Sequence, residues 1–177
     1  QISYSETIEL AFYGASIIHP KTLQPLQKKE IPLHVKSFKN PKSKGTIISK
    51  EIEIEPLVPC YIFKENLILI KLSSLDFSFM VEDNISNIFK ELHDFKMKVD
   101  VIQNSAISFS VCFFDKYNNI DALVKNLEGK FKIEMHKNVS LFTIRHFNEK
   151  SIKKVSNKRK LVLEQRTEKT VRLIFSN

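Results

Sequence analysis

The placement of proline constrains this chain more than any other feature. Pro20, Pro25, Pro32, Pro41, Pro56 and Pro59 all precede residue 60, and no proline follows before Asn177. Proline lacks an N–H and is kept out of helix interiors and central strands. The composition therefore shifts sharply near residue 60. At this shift, Glu51-Ile52-Glu53-Ile54-Glu55 followed by Pro56 and Pro59 reads as a connector, and residues 49–64 are taken as the linker.

Ahead of the linker, Ile8, Ala11 and Phe12 stand at helical spacing and predict a helix from Ser5 to Phe12. Pro20 suits the first turn of a second helix, running to about Lys29. Ile31 to Val35 and Gly45 to Ile48 read as short strands. Residues 1–48 are too few to bury a sizeable core and are expected to be the tail of a domain. The chain opens on Gln1 rather than Met, as expected for a piece of a longer or processed protein.

Beyond the linker the periodicity is regular. Leu67 to Leu72 is an apolar strand, and Ile85, Ile88, Phe89, Leu92 and Phe95 line one helical face, with Asp83 or Asn84 as the cap. Val99 to Ile102 is a strand. Ile107, Phe109, Val111 and Phe113 alternate with Ser108, Ser110 and Cys112, which predicts a half-buried strand with Cys112 on its outer face. Ile120, Leu123, Val124 and Leu127 form a second helical face ended by Gly129, and Phe131 to Met135 is a strand. In order this is βαββαβ over residues 65–138, an α+β ferredoxin-like plan. Residues 139–177 restart it in shortened form: a strand from Val139 to Phe147, a short helix from Lys150 to Val155, and a hairpin of Lys160–Arg166 with Thr170–Phe175. Such a half-unit leaves an apolar face and a sheet edge open, so side-by-side pairing or a dimer is expected.

Composition narrows the chemistry. Three glycines far apart cannot form a phosphate cradle, and two cysteines cannot form a disulfide scaffold or a four-cysteine zinc site. No two of the five histidines have metal-ligand spacing, so no metal site is expected. No apolar run reaches the length of a membrane helix, and no secretory leader is visible. The net charge of +8 collects at both ends around an acidic centre, densest at Lys153-Lys154 and Lys158-Arg159-Lys160, where a solvated face is favoured over phosphate contact. Fourteen phenylalanines on a βαββαβ plan raise an RNA-binding reading. The third strand, however, lacks the basic and glycine positions of such modules, and its phenylalanines read as core. Two polar places stand out: the turn from Ser73 to Met80, and Asp100 with Gln103-Asn104-Ser105. A helix N-terminus near the first can hold a carboxylate and Asp100 an ammonium, which together suit a small zwitterion. On spacing alone, an ordinary polar loop and turn is the favoured reading of both places.

The segment Tyr13-Gly14-Ala15-Ser16-Ile17-Ile18-His19-Pro20-Lys21-Thr22 resembles the late kinase-domain signature of aspartate kinases. Ile31-Pro32-Leu33-His34-Val35-Lys36-Ser37-Phe38-Lys39-Asn40-Pro41 and Gly45-Thr46-Ile47-Ile48 continue it in order. Val99-Asp100-Val101-Ile102-Gln103-Asn104-Ser105-Ala106-Ile107-Ser108 is similar to the effector strand and turn of the ACT regulatory domains of that family. The resemblance implies a kinase-domain tail over 1–48, a first ACT-like unit over 65–138 and a shortened second over 139–177. It implies that Lys39 reaches the phosphates of ATP. It also implies that Asp76, Phe77, Ser78, Phe79 and Met80, with Asp100, Gln103, Asn104, Ser105 and Ile107, enclose an amino-acid effector, lysine ahead of threonine. The parent reaction so implied is ATP- and Mg-dependent phosphorylation of L-aspartate, in the cytoplasm, by a homodimer joined through its ACT units. No catalytic residue is expected in this piece, nor a nucleic-acid or membrane partner. The rival readings are a ligand-free ACT dimerisation module and an RNA-binding βαββαβ module.

Overall fold

The computed structural model describes residues 1–15, 17–50 and 52–176. The chain forms two compact units: Gln1–Ile62 with Thr143–Ile152 and Glu168–Val171, and Phe63–Phe142 with Lys153–Thr167 and Arg172–Asn177. Residues 60–64 of the expected linker are instead the start of a strand, Cys60–Ser73. The expected second ACT-like unit is shared, because 143–152 and 168–171 join the first unit.

The first unit opens with β1 (Ile2–Ser3), α1 (Tyr4–Tyr13), α2 (Pro20–Lys28), β2 (Leu33–Val35) and β3 (Thr46–Ser49). Both helix starts are set by local chemistry. The Ser3 hydroxyl accepts from the Glu6 amide at 3.2 Å, and His19 Nδ1 accepts from the Lys21 amide at 3.2 Å, ahead of Pro20 in the first turn of α2. The strands lie in the order β1-β3-β2, with β1 parallel and β2 antiparallel to β3. The sequence reading missed β1, whose two residues are too short to show a period. Tyr4, Leu23 and Ile48 form the small core, and the Tyr4 hydroxyl donates to the Ile31 carbonyl. Gly45 sits at φ +69°, where a Cβ would meet the Val35 carbonyl oxygen at 2.3 Å, so glycine is required at the entry to β3.

The rest of the chain gives β4 (Cys60–Ser73), α3 (Glu82–Asp94), β5 (Lys98–Asn104), β6 (Ser108–Phe114), α4 (Ile120–Leu127), β7 (Lys132–Arg145), α5 (Glu149–Ser156), β8 (Lys160–Arg166) and β9 (Thr170–Ser176). They form one sheet in the order β5-β6-β4-β7-β9-β8. The run β7-β4-β6-β5 is the strand order of a ferredoxin-like βαββαβ unit. Ile68, Ile70, Leu72, Phe109, Val111 and Phe113 of the sheet meet Ile88 and Leu92 of α3 and Leu123 and Leu127 of α4. Each such side chain contributes about 1.5–3 kcal/mol on burial. Three expectations are corrected. The strands expected at 131–135 and 139–147 are a single strand, β7, fourteen residues long. Helix α3 begins one residue earlier than its expected cap, and Asn84 serves inside it by accepting from the Val81 amide at 3.2 Å. Cys112 is fully buried, because β6 is covered on both faces.

The sheet is an internal repeat. β4 and β7 each have fourteen residues, and each bends at an asparagine in the left-handed region, Asn66 at φ +58° and Asn138 at φ +57°. The hairpins β5–β6 and β8–β9 are each built of two seven-residue strands. The apolar cluster on the sheet's second face is made of equivalent residues from the two copies: Leu67 with Val139, Leu69 with Leu141, Cys112 with Ile174 and Val101 with Leu163. The period-two pattern of β5 breaks at Asp100. Val99 pairs with Phe113 and Val101 with Cys112, so Asp100 is the extra residue of a β-bulge. Val99 and Val101 consequently pack into opposite faces of the sheet.

Candidate functional site

The loop from Ser74 to Val81 is laid against the β5–β6 turn. The Ser74 amide donates to the Ile107 carbonyl at 3.2 Å and the Met80 amide to the Ala106 carbonyl at 2.7 Å. The turn itself is closed by the Ser105 amide on the Ser108 carbonyl at 2.8 Å. Within the loop, Asp76 Oδ1 accepts from the Ser78 amide at 3.0 Å. Hydrogen bonds from the Ser78 side chain and amide hold the Asp76 carboxyl below its ordinary value. The Ser74 hydroxyl is buried and has no partner among the described residues.

The structure brings most of the sequence-proposed effector residues to this corner. Gln103, Asn104 and Ser105 are exposed at the end of β5, Ile107 is 37% exposed on the turn, and Phe77 and Phe79 are 82% and 73% exposed on the loop. Met80 points instead into the core beneath α3. Asp100 lies four residues back along β5, roughly 13 Å at the rise of a strand. Its carboxylate faces Lys64 Nζ at 2.5 Å. Lys39 stands exposed in the turn between β2 and β3. Ser74 lies in the polar turn that the sequence singles out, but it is not among the residues that the resemblance assigns to the effector. A hydroxyl without a partner shows only once its surroundings are known.

The first unit holds a second polar cluster, which no spacing announced. Glu6 of α1 receives Arg145 Nε and Nη2 at 2.8 Å on its two oxygens, and His146 Nε2 lies 2.9 Å from Glu6 Oε1. Arg145 Nη1 donates to Thr170 Oγ1 at 2.8 Å. Burial pushes the Glu6 carboxyl up, but hydrogen bonds from Arg145 and His146 outweigh it, and the group ends below its ordinary value. The hydrogen bond to Glu6 raises Arg145 in turn. An open cleft of ≈ 640 Å³ lies beside them, rimmed by Ser3, Glu9, Glu53 and Lys169.

Burial, and then the Asp100 carboxylate, push the Cys112 thiol up to about 12, so it is not a nucleophile at neutral pH. No group of three or more His, Cys, Asp or Glu residues among those described is arranged to hold a metal. Phe109 and Phe113 are buried and cannot stack bases. No helix among the described residues is long and apolar enough to cross a membrane.

An α+β sheet repeat with a polar loop on its hairpin turn has the fold of the ACT regulatory domains of aspartokinases. The homologues of the chain are aspartokinases. It is 30% identical over 111 residues to aspartokinase 1, chloroplastic, of Arabidopsis thaliana, covering 62% of this chain and 19% of that protein. It is 31% identical over 113 residues to lysine-sensitive aspartokinase 3 of Escherichia coli (strain K12), covering 63% and 24%. The crystal structure of Clostridium acetobutylicum aspartate kinase superposes with a TM-score of 0.80 at 19% identity, over 98% of this chain and 44% of that one. No family model matches the chain. The chain thus spans about a quarter or less of the length of these curated relatives.

Proposed function

We propose that this chain is the regulatory part of an aspartate kinase, and that the Ser74–Val81 loop with the β5–β6 turn binds an end-product amino acid, lysine ahead of threonine. The observation that carries this reading is the buried Ser74 hydroxyl left without a partner where loop and turn meet. A buried polar group of that kind costs about 1–3 kcal/mol unless something completes it, and an effector carboxylate would. Asp76 stands exposed on the same loop for an ammonium group, and Gln103, Asn104 and Ser105 are exposed where β5 leads into the turn. Similarity to a lysine-sensitive aspartokinase favours lysine. The parent activity in this proposal is ATP-dependent phosphorylation of L-aspartate. ATP and Mg would bind elsewhere in the whole protein, and exposed Lys39 is the residue offered here to the phosphates. Inhibition follows only where the effector binds the inhibited arrangement more tightly than the active one.

Exposed Phe77 and Phe79 also fit a second reading, in which the loop joins two copies of the chain with no ligand. Calorimetric titration with lysine and threonine, paired with sedimentation in the presence and absence of each, separates the two. Saturable heat with lysine supports the sensor. A ligand-independent dimer with no heat from either amino acid replaces it with the dimerisation module.

A further inference from the structure

The loop-on-turn contact of the candidate site occurs twice. Ser74 follows the last residue of β4, and its amide donates to Ile107, the residue before β6. His146 follows the last residue of β7, and its amide donates to Lys169, the residue before β9, at 2.7 Å. The backbone is repeated, but the side chains have diverged. The first copy offers Ser73, Ser74 and Ser108 at this corner, and the second offers Arg145, His146 and Thr170 at the equivalent positions.

The second corner is cationic and already holds a carboxylate. Arg145 meets both oxygens of Glu6 at 2.8 Å in the two-pronged geometry that recognises planar anions, and it is itself held by Thr170 Oγ1. His146 adds a third contact at 2.9 Å. Glu6 comes from α1, far away in sequence but in the same compact unit. We propose that Arg145, His146 and Thr170 form a second carboxylate-binding site, the internal counterpart of the serine-lined loop, and that Glu6 is its built-in ligand. The second copy of the loop is thereby plugged from within, and α1 is fastened to it. The ≈ 640 Å³ cleft alongside leaves room for a small free carboxylate once the Glu6 side chain is removed. This inference rests on the repeat and not on effector binding at the first loop, so either can fail alone.

Chemical rescue tests it. In the full chain, Glu6→Gly is expected to lower Tm, and acetate or formate to restore about 3 °C over chloride at equal ionic strength. Wild type, with the site filled, and Glu6→Gly/Arg145→Met, without the fork, are expected to show no preference for acetate. Equal responses to acetate and chloride in Glu6→Gly, or an acetate gain that survives Arg145→Met, overturn the proposal. Should Glu6→Gly be unfolded in chloride, recovery of folded protein in acetate is the same reading, and its failure is the same refutation.

Discussion

Asp100, the bulge residue of β5, holds Lys64 of β4 in an ion pair 2.5 Å long. The Asp100 side chain is only 7% exposed and that of Lys64 24%. Without the bulge, Asp100 would follow the alternation of its neighbours; the extra residue re-aims it toward Lys64. Removing one partner strands a desolvated charge, whereas removing both does not. Lys64→Met is therefore expected to destabilise the chain by about 2 kcal/mol, and Lys64→Met/Asp100→Asn to recover at least half of that. Urea unfolding of the two variants and of Asp100→Asn measures the coupling. The same geometry places Asp100 outside the loop corner, so Asp100→Asn is expected to leave lysine affinity within about twofold in calorimetry.

The Glu6 cluster should make the protein acid-sensitive. The folded Glu6 carboxyl titrates below its ordinary value of 4.5, with burial opposing and Arg145 and His146 lowering it. A depressed carboxyl contributes stability that is fully present above the unfolded value and is lost as pH falls through the folded one. Stability is thus expected to fall more steeply below pH 4.5 in wild type than in Glu6→Gln, which has no carboxyl to protonate there. Parallel pH profiles of the urea midpoint for the two proteins would remove this role from Glu6.

The two cysteines should differ in reactivity. Cys112 is buried with its thiol pushed up to about 12, and half-buried Cys60 is raised less, first by burial and then by Glu6. Iodoacetamide at pH 8 is expected to label Cys60 slowly and Cys112 only when the chain unfolds, read by peptide mass spectrometry. Labelling of Cys112 at the Cys60 rate in native buffer would contradict a β6 covered on both faces.

Much of the fold was legible because apolar spacing survives in the elements that face one core. Ile88 and Leu92 in α3 and Leu123 and Leu127 in α4 follow the helical period and are buried as that period requires. The reading failed where a second surface or a single backbone residue intervened. Cys112 looks outward by alternation, yet it meets Leu67, Leu69 and Ile174 on the sheet's other face. Asn138 looks like a break between strands, yet its left-handed conformation bends one strand without ending it. At the candidate site, the exposed residues 76–79 and 103–105 were readable as polar turns. Asp100 was not readable as part of a bulge, and Glu6 with His146 could not be read at all, since their 140-residue separation leaves no local pattern.

Phe77 provides a last test, because its backbone and its side chain can be judged separately. It sits at φ +60°, which costs a bulky L-residue about 1–2 kcal/mol, and its ring is 82% exposed, so little packing offsets that cost. Glycine removes the backbone cost but adds freedom to the unfolded chain worth about 0.4–1 kcal/mol. Phe77→Gly is therefore expected to leave stability unchanged or to raise it by up to about 1.5 kcal/mol in urea unfolding. A residue kept in an unfavourable conformation with its ring in solvent is positioned for contact with something else. The same variant is accordingly expected to weaken lysine binding, or the dimer if the loop is an interface, by at least about fivefold, equivalent to about 1 kcal/mol. A Phe77→Gly protein of lower stability would place the ring in the fold itself, and one with unchanged binding and assembly would remove Phe77 from the site.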